Sequence, residues 1–144
     1  MTTLLETERL TLRPFLLEDA PFIIDLLNTK GWIDFIGDRN VRTKEQAEHY
    51  LKNGPMKSYA EYGYGLCLVA LKNNHTPIGM CGIVNRTNLE QPDIGFAFLP
   101  EYTGKGYAVE IAKATIQFAK TKLKLPIVYG ITVPYNKPST AIRQ

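Results

Sequence analysis

The sequence predicts an α/β fold in the order β-α-α-β-β-β-α-β, and three observations carry that prediction. Apolar runs of strand length recur at Leu10–Phe15, Gly65–Leu71, Pro77–Val84, Asp93–Leu99 and Ile127–Val133. Between them lie segments whose apolar residues recur at helical spacing. A glycine turn, Gly104-Lys105-Gly106, joins the fourth strand to the last long helix.

Each element has its own local reason. Leu10–Phe15 alternates apolar and polar positions, as a half-buried strand does. Glu18 and Asp19 suit a helix start, and Phe22, Ile23, Leu26 and Leu27 then fall on one face. Thr43 followed by Gln46 is a capping-box pattern for a second helix, with Ala47, Tyr50 and Leu51 turned inward. Gly65–Leu71 and Pro77–Val84 flank the polar stretch Lys72-Asn73-Asn74-His75, which reads as a hairpin. Asp93–Leu99 is the fourth strand. A third helix runs from Tyr107 to about Lys122, with Val109, Ala112, Ile116 and Ala119 at helical spacing. Ile127–Val133 is the fifth strand, which Pro134 ends.

Composition excludes several classes of function. A chain of 144 residues suits one core, burying roughly two-thirds of the unfolded surface. The net charge of +3 is mild and its cations are dispersed, which argues against a nucleic-acid partner. No apolar run approaches the roughly 20 residues that span a bilayer, and the N-terminus carries no signal pattern. No membrane partner is expected. Two cysteines without metal-ligand spacing suit a reducing cytoplasm and predict no metal.

The glycine turn is the most specific feature. A turn feeding a helix N-terminus leaves backbone N–H groups unpaired beside the positive end of the helix dipole, which suits a phosphate. Lys105 adds a full charge. Three cofactor classes compete. A P-loop needs Ser or Thr after Gly-Lys, whereas Gly106, Tyr107 and Ala108 follow here. A dinucleotide fingerprint needs a third glycine, where Val109 stands, and an acid further on, which Lys124–Val133 lacks. Coenzyme A needs neither a metal nor a ribose carboxylate. A plain glycine turn is the remaining alternative.

The run Gly104-Lys105-Gly106-Tyr107-Ala108, behind Asp93-Ile94-Gly95-Phe96, resembles the acyl-CoA motif of the GCN5-related N-acetyltransferases (GNAT), Gln/Arg-x-x-Gly-x-Gly/Ala. Thr103 stands where that family has Gln or Arg. The departure loses a side chain near the phosphates but none of the backbone amides. Leu5–Pro14 resembles the opening strand of the ribosomal-protein N-acetyltransferase-like (RimJ/RimL) subgroup. Phe35–Leu51 resembles its second helix and the loop before it, and Asn136-Lys137-Pro138-Ser139 its Asn-x-x-Ser motif.

This resemblance implies a mostly antiparallel central sheet with helices on both faces. It also implies direct transfer of an acetyl group from acetyl-CoA to an amine acceptor. The amides of Gly104, Lys105, Gly106, Tyr107 and Ala108 would grip the cofactor. Ala97, Phe98 and Leu99 would pair with the pantetheine arm, with a backbone N–H near Phe98 facing the thioester oxygen. Asp93 occupies the position of a base acting through water, although a structural strand-start carboxylate would look the same. Asn136 would contact the cofactor near its thiol. Ser139 would protonate the leaving thiolate, or would simply cap a helix. A non-catalytic CoA-binding module of the same fold is the alternative function.

Other residues suit plainer roles. His49 faces outward from the second helix, and His75 lies in a loop. Cys67 and Cys81 face each other across the hairpin as small core fillers. Trp32, Phe35 and Ile36 line the acceptor side or the core, and Asp38 and Arg39 contact a charged acceptor or each other. Family members continue past Asn-x-x-Ser with a helix and two strands, so the single domain 1–144 is expected either to lack its last strands or to close its sheet in another way. Ile127–Val133 would then present an open edge. That predicts a homodimer across the edge or poor solubility, unless loops or the tail cover it.

Overall fold

In the computed structural model, residues 3–29, 41–84, 93–123 and 129–130 are described, with 93, 129 and 130 described in backbone only. Six strands are present there: β1 Leu5–Glu6, β2 Leu10–Pro14, β3 Leu66–Leu71, β4 Pro77–Val84, β5 Asp93–Phe98 and β6 Tyr129–Gly130. The helices are α1 Ala20–Leu27, α2 Lys44–Asn53, α3 Pro55–Tyr62 and α4 Tyr107–Thr121. The strands lie in one sheet in chain order. All neighbours are antiparallel except β5 and β6, which run parallel. A parallel pair needs a crossover connection, and α4 supplies it.

The sheet is covered on both faces. Leu10, Leu12, Val69, Cys81, Ile94, Phe96 and Phe98 pack with Ala108, Ile111, Ala112 and Ala119 of α4. Phe15, Leu68, Ala70, Met80 and Ala97 pack with Ile23, Leu26 and Leu27 of α1 and Ala47 and Leu51 of α2. Strand alternation sends neighbouring residues to opposite layers, so Phe96 and Phe98 serve one core and Ala97 the other.

Local signals decided α2. The Thr43 Oγ1 accepts the Gln46 N–H at 3.2 Å, and the Gln46 Oε1 accepts the Thr43 N–H at 3.1 Å, closing the expected capping box. Asp19 behaves differently from the expected cap. It makes no capping bond to α1. Its carboxylate instead accepts both Nη groups of Arg13 at 2.7 and 2.8 Å and the Leu16 N–H at 2.8 Å. That bidentate pair, largely buried, raises the Arg13 pKa and ties β2 to the turn before α1.

The expected element order needs two additions. Leu5–Pro14 is a hairpin rather than one strand. The Thr7 N–H reaches the Leu10 carbonyl at 2.8 Å, and the Thr7 hydroxyl accepts the Leu10 N–H at 3.0 Å. A second helix, α3, follows α2, with Pro55 at its first position, where a missing N–H costs nothing. One helix face is shifted from expectation. On α4 the buried residues are Ala108, Ile111, Ala112, Thr115 and Ala119, and Val109 and Ile116 lie at the margin. On α2, Tyr50 is half-buried and packs against the core with Ala47 and Leu51, as expected. Finally, β2 is covered on both sides, because Thr11 is buried along with Leu10 and Leu12.

Cys67 and Cys81 are register partners, both buried and both free thiols. Burial pushes each up to about 12, against hydrogen bonding with Tyr59 and Thr115 respectively. His49 and His75 are exposed, and His75 takes a positive φ of 60° in the hairpin loop. Trp32, Phe35, Ile36, Asp38 and Arg39 lie outside the described residues, as does Ile127–Val133 apart from Tyr129 and Gly130. Among the described residues no helix is long and apolar enough to cross a membrane.

Candidate active site

The glycine turn lies where β5 hands over to α4. After Phe98 the chain makes a 3-10 turn at Pro100–Tyr102, and the Thr103 hydroxyl donates to the Pro100 carbonyl at 2.8 Å. Gly104 and Gly106 then take φ of 76° and 83°. Side chains rarely adopt that region, so these two positions select glycine. A Cβ on Gly104 would meet nothing within 4 Å, which leaves the turn open on that side. No side chain caps α4, and among the described residues the backbone N–H groups of 104–106 reach no backbone acceptor. The amides of the first helical turn are unsatisfied for the usual geometric reason.

Lys105 is exposed, Tyr107 is half-buried and Ala108 is buried at the sheet. Tyr107 packs against Tyr102 at 6.4 Å between ring centroids. The side chains of 107 and 108 are thus used in packing.

The β5 edge runs into this turn. The Leu99 N–H donates to the Ile78 carbonyl on β4 at 2.9 Å. N–H groups alternate between the two edges of a strand, so those of Phe96 and Phe98 face away from β4. The β5–β6 pairing recorded in the described residues covers Asp93 with Tyr129 and Ile94 with Gly130. Asp93 therefore has strands on both sides, pairing also with Val84 of β4. Val84 borders a cavity of about 340 Å³ with Tyr50, Ser58, Glu61, Tyr62 and Leu66. Asn136 and Ser139 lie outside the described residues.

Three residues at this turn escaped the sequence reading: Thr7, Arg9 and Glu110. The Arg9 Nε lies 2.7 Å from Glu110 Oε1, and Arg9 Nη1 donates to the Lys105 carbonyl at 3.1 Å. The guanidinium carbon sits 4.4 Å from the centre of the Tyr107 ring. Glu110 Oε2 accepts the Arg9 backbone N–H at 3.0 Å and the Thr7 hydroxyl. Burial raises the Glu110 carboxyl, but these hydrogen bonds and the Arg9 charge outweigh it and hold the group below its ordinary value. Its one sequence signal was an acid in the first turn of α4, which suits the helix dipole whatever its partner. Among the described residues no cluster of potential ligands could hold a metal ion.

Among the described residues β5 pairs with β6 at Asp93 and Ile94, and the glycine turn opens the crossover helix beyond them. The model of the acetyltransferase (GNAT) domain matches residues 9–144. The chain belongs to that family and is an acyl-CoA-dependent acetyltransferase. It is 24% identical to the uncharacterized N-acetyltransferase YnaD of Bacillus subtilis over 92% of this chain and 75% of that protein. An acetyltransferase structure from Agrobacterium tumefaciens superposes with a TM-score of 0.77 at 26% identity, covering 99% of this chain and 80% of that one. The fold also matches a ribosomal-protein-S5-alanine acetyltransferase from Vibrio fischeri, with a TM-score of 0.68 at 18% identity over 99% and 80% of the two chains.

Proposed function

We propose that this chain transfers the acetyl group of acetyl-CoA to a primary amine by direct attack, with the pyrophosphate held at Gly104–Ala108. The observation that carries this reading is the uncapped start of α4 behind two left-handed glycines, open at the Gly104 Cβ position. Its donors are backbone amides beside a helix dipole, a set that suits a diphosphate without a metal. Acetyl-CoA supplies an activated thioester. The protein supplies orientation, a proton acceptor and a polarising donor.

Each part has a named candidate. The outward N–H groups of Phe96 and Phe98 suit a pantetheine arm lying along Ala97–Leu99 as an added strand. The Phe98 N–H, nearest the turn of the two, is the donor assigned to the thioester oxygen. Asp93 takes the proton from the amine, directly or through a water. Asn136 and Ser139 are assigned to the thiol end, Ser139 as proton donor, on the sequence motif alone. The cavity beside Val84, the register partner of Asp93, is assigned to a primary-amine acceptor; Glu61 on its rim is already paired with Lys57 at 3.8 Å. A protein N-terminus, as in the ribosomal-protein subgroup, and a small-molecule amine both meet that description.

The test is thiol release from acetyl-CoA with a panel of N-terminal peptides and small amines. Release that depends on one class of amine is the expected result. Acetyl-CoA binding without release for any amine would overturn the catalytic reading.

A further inference from the structure

We infer that Arg9 is a positioning residue for the acetyl-CoA turn, and that Glu110 is the group that aims it. The inference rests on the reading that Gly104–Ala108 hold the cofactor. Arg9 reaches the turn from the β1–β2 hairpin, 96 positions earlier in the chain. Its guanidinium is fixed on three sides: Glu110 at Nε, the Lys105 carbonyl at Nη1 and the Tyr107 ring beneath it. Nη2 also lies 3.3 Å from where a Cβ on Gly106 would stand.

The Lys105 carbonyl is the important contact. In a trans peptide the C=O of one residue and the N–H of the next point in opposite directions, and no cis bond is recorded here. Holding the Lys105 oxygen against Arg9 therefore turns the Gly106 N–H the other way, out of the Arg9 side of the turn. Glycine tolerates either orientation of that peptide, so the turn by itself does not fix it. Arg9 does, and Glu110 with Thr7 keeps Arg9 in place. As a half-exposed ion pair, the contact adds little to global stability. Its effect falls on preorganisation of the amides, and so on affinity. It also brings a second cation beside Lys105 at a turn whose motif has Thr103 in place of Gln or Arg.

Glu110→Gln separates positioning from charge. It removes a negative charge close to the bound pyrophosphate, so electrostatics alone predicts tighter binding. Positioning predicts weaker binding, because the neutral amide of this variant no longer holds the guanidinium by an ion pair. Calorimetric titration with acetyl-CoA should show an affinity loss on the order of tenfold for Arg9→Ala and several-fold for Glu110→Gln. Arg9→Lys should fail to restore affinity, since an ammonium cannot bond Glu110 and the Lys105 carbonyl in one fork. Melting temperatures should fall by no more than a few degrees, as expected for a partly exposed ion pair.

Equal or tighter binding by Glu110→Gln, or full rescue by Arg9→Lys, would overturn the inference. Should Glu110→Gln lose its fold, Arg9→Lys asks the same question with charge conserved. Gly106→Val run alongside tests the site itself. Normal affinity there removes the reading beneath the inference. Lost affinity there with unaffected Arg9 and Glu110 variants removes only the inference.

Discussion

Gly79 and Phe98 are register partners on β4 and β5, and a Cβ on Gly79 would lie 2.6 Å from the Phe98 ring and 2.5 Å from the Ala97 carbonyl oxygen. The sheet is closed so tightly there that glycine sets the position of the last residues of β5, the ones assigned to the pantetheine arm.

Gly79→Ala should therefore shift β5, because backbone and a buried ring both stand in the way. Overpacking of this kind costs roughly 1–3 kcal/mol, which corresponds to a fall of roughly 3–10 °C in Tm. Acetyl-CoA affinity should fall with it. Thermal denaturation at wild-type temperature would show that the pair relaxes without strain.

At the turn, Gly106→Val introduces a branched side chain at a φ of 83° and 3.3 Å from Arg9 Nη2, which strains the backbone carrying the amides assigned to the pyrophosphate. Acetyl-CoA affinity should drop at least tenfold, about 1.4 kcal/mol. Lys105→Ala should cost less, since an exposed charge is screened by salt. The two titrations, run at the same ionic strength, check the order of the effects.

Asp93→Asn should lower turnover by roughly 10²–10⁴-fold while leaving acetyl-CoA affinity near normal, if the carboxylate receives the amine proton. Unchanged turnover with a lower melting temperature would make it a structural strand-start residue.

The lowered pKa of Glu110 fixes the sign of one pH effect. A carboxyl that ionises more readily in the folded state stabilises that state above its unfolded pKa. The contribution disappears as pH falls through the folded value. The melting-temperature gap between wild type and Glu110→Gln should thus be largest near neutrality. It should narrow on acidification through the ordinary glutamate range, near about pH 4.3, and below it. A gap that widens in acid would reverse the assignment.

Much of this architecture was legible because its causes are local. Thr43 and Gln46 close a cap within one helical turn. Gly104 and Gly106 mark a backbone that only glycine adopts easily. The apolar runs Pro77–Val84 and Asp93–Leu99 report strands covered on both faces. Where local rules ran out, the reading erred in a consistent way. Leu5–Pro14 looked like one strand because the hydrophobic pattern does not show the turn that the Thr7 hydroxyl stabilises. α3 was missed because Gly54-Pro55 ends one helix and starts the next. The face of α4 shifted by a residue, because closeness to the sheet selects Ala108 and Ala112 over larger neighbours.

The sequence by itself determined the order of most elements, the glycine turn and the family. These depend on residues near one another in the chain, whose backbone preferences act before any tertiary contact exists. Only the tertiary structure decided that Arg9 meets Glu110 and the Lys105 carbonyl and that Gly79 abuts Phe98. Such pairs are set by sheet register and helix docking, and chemistry between distant positions leaves no periodicity for a sequence to display.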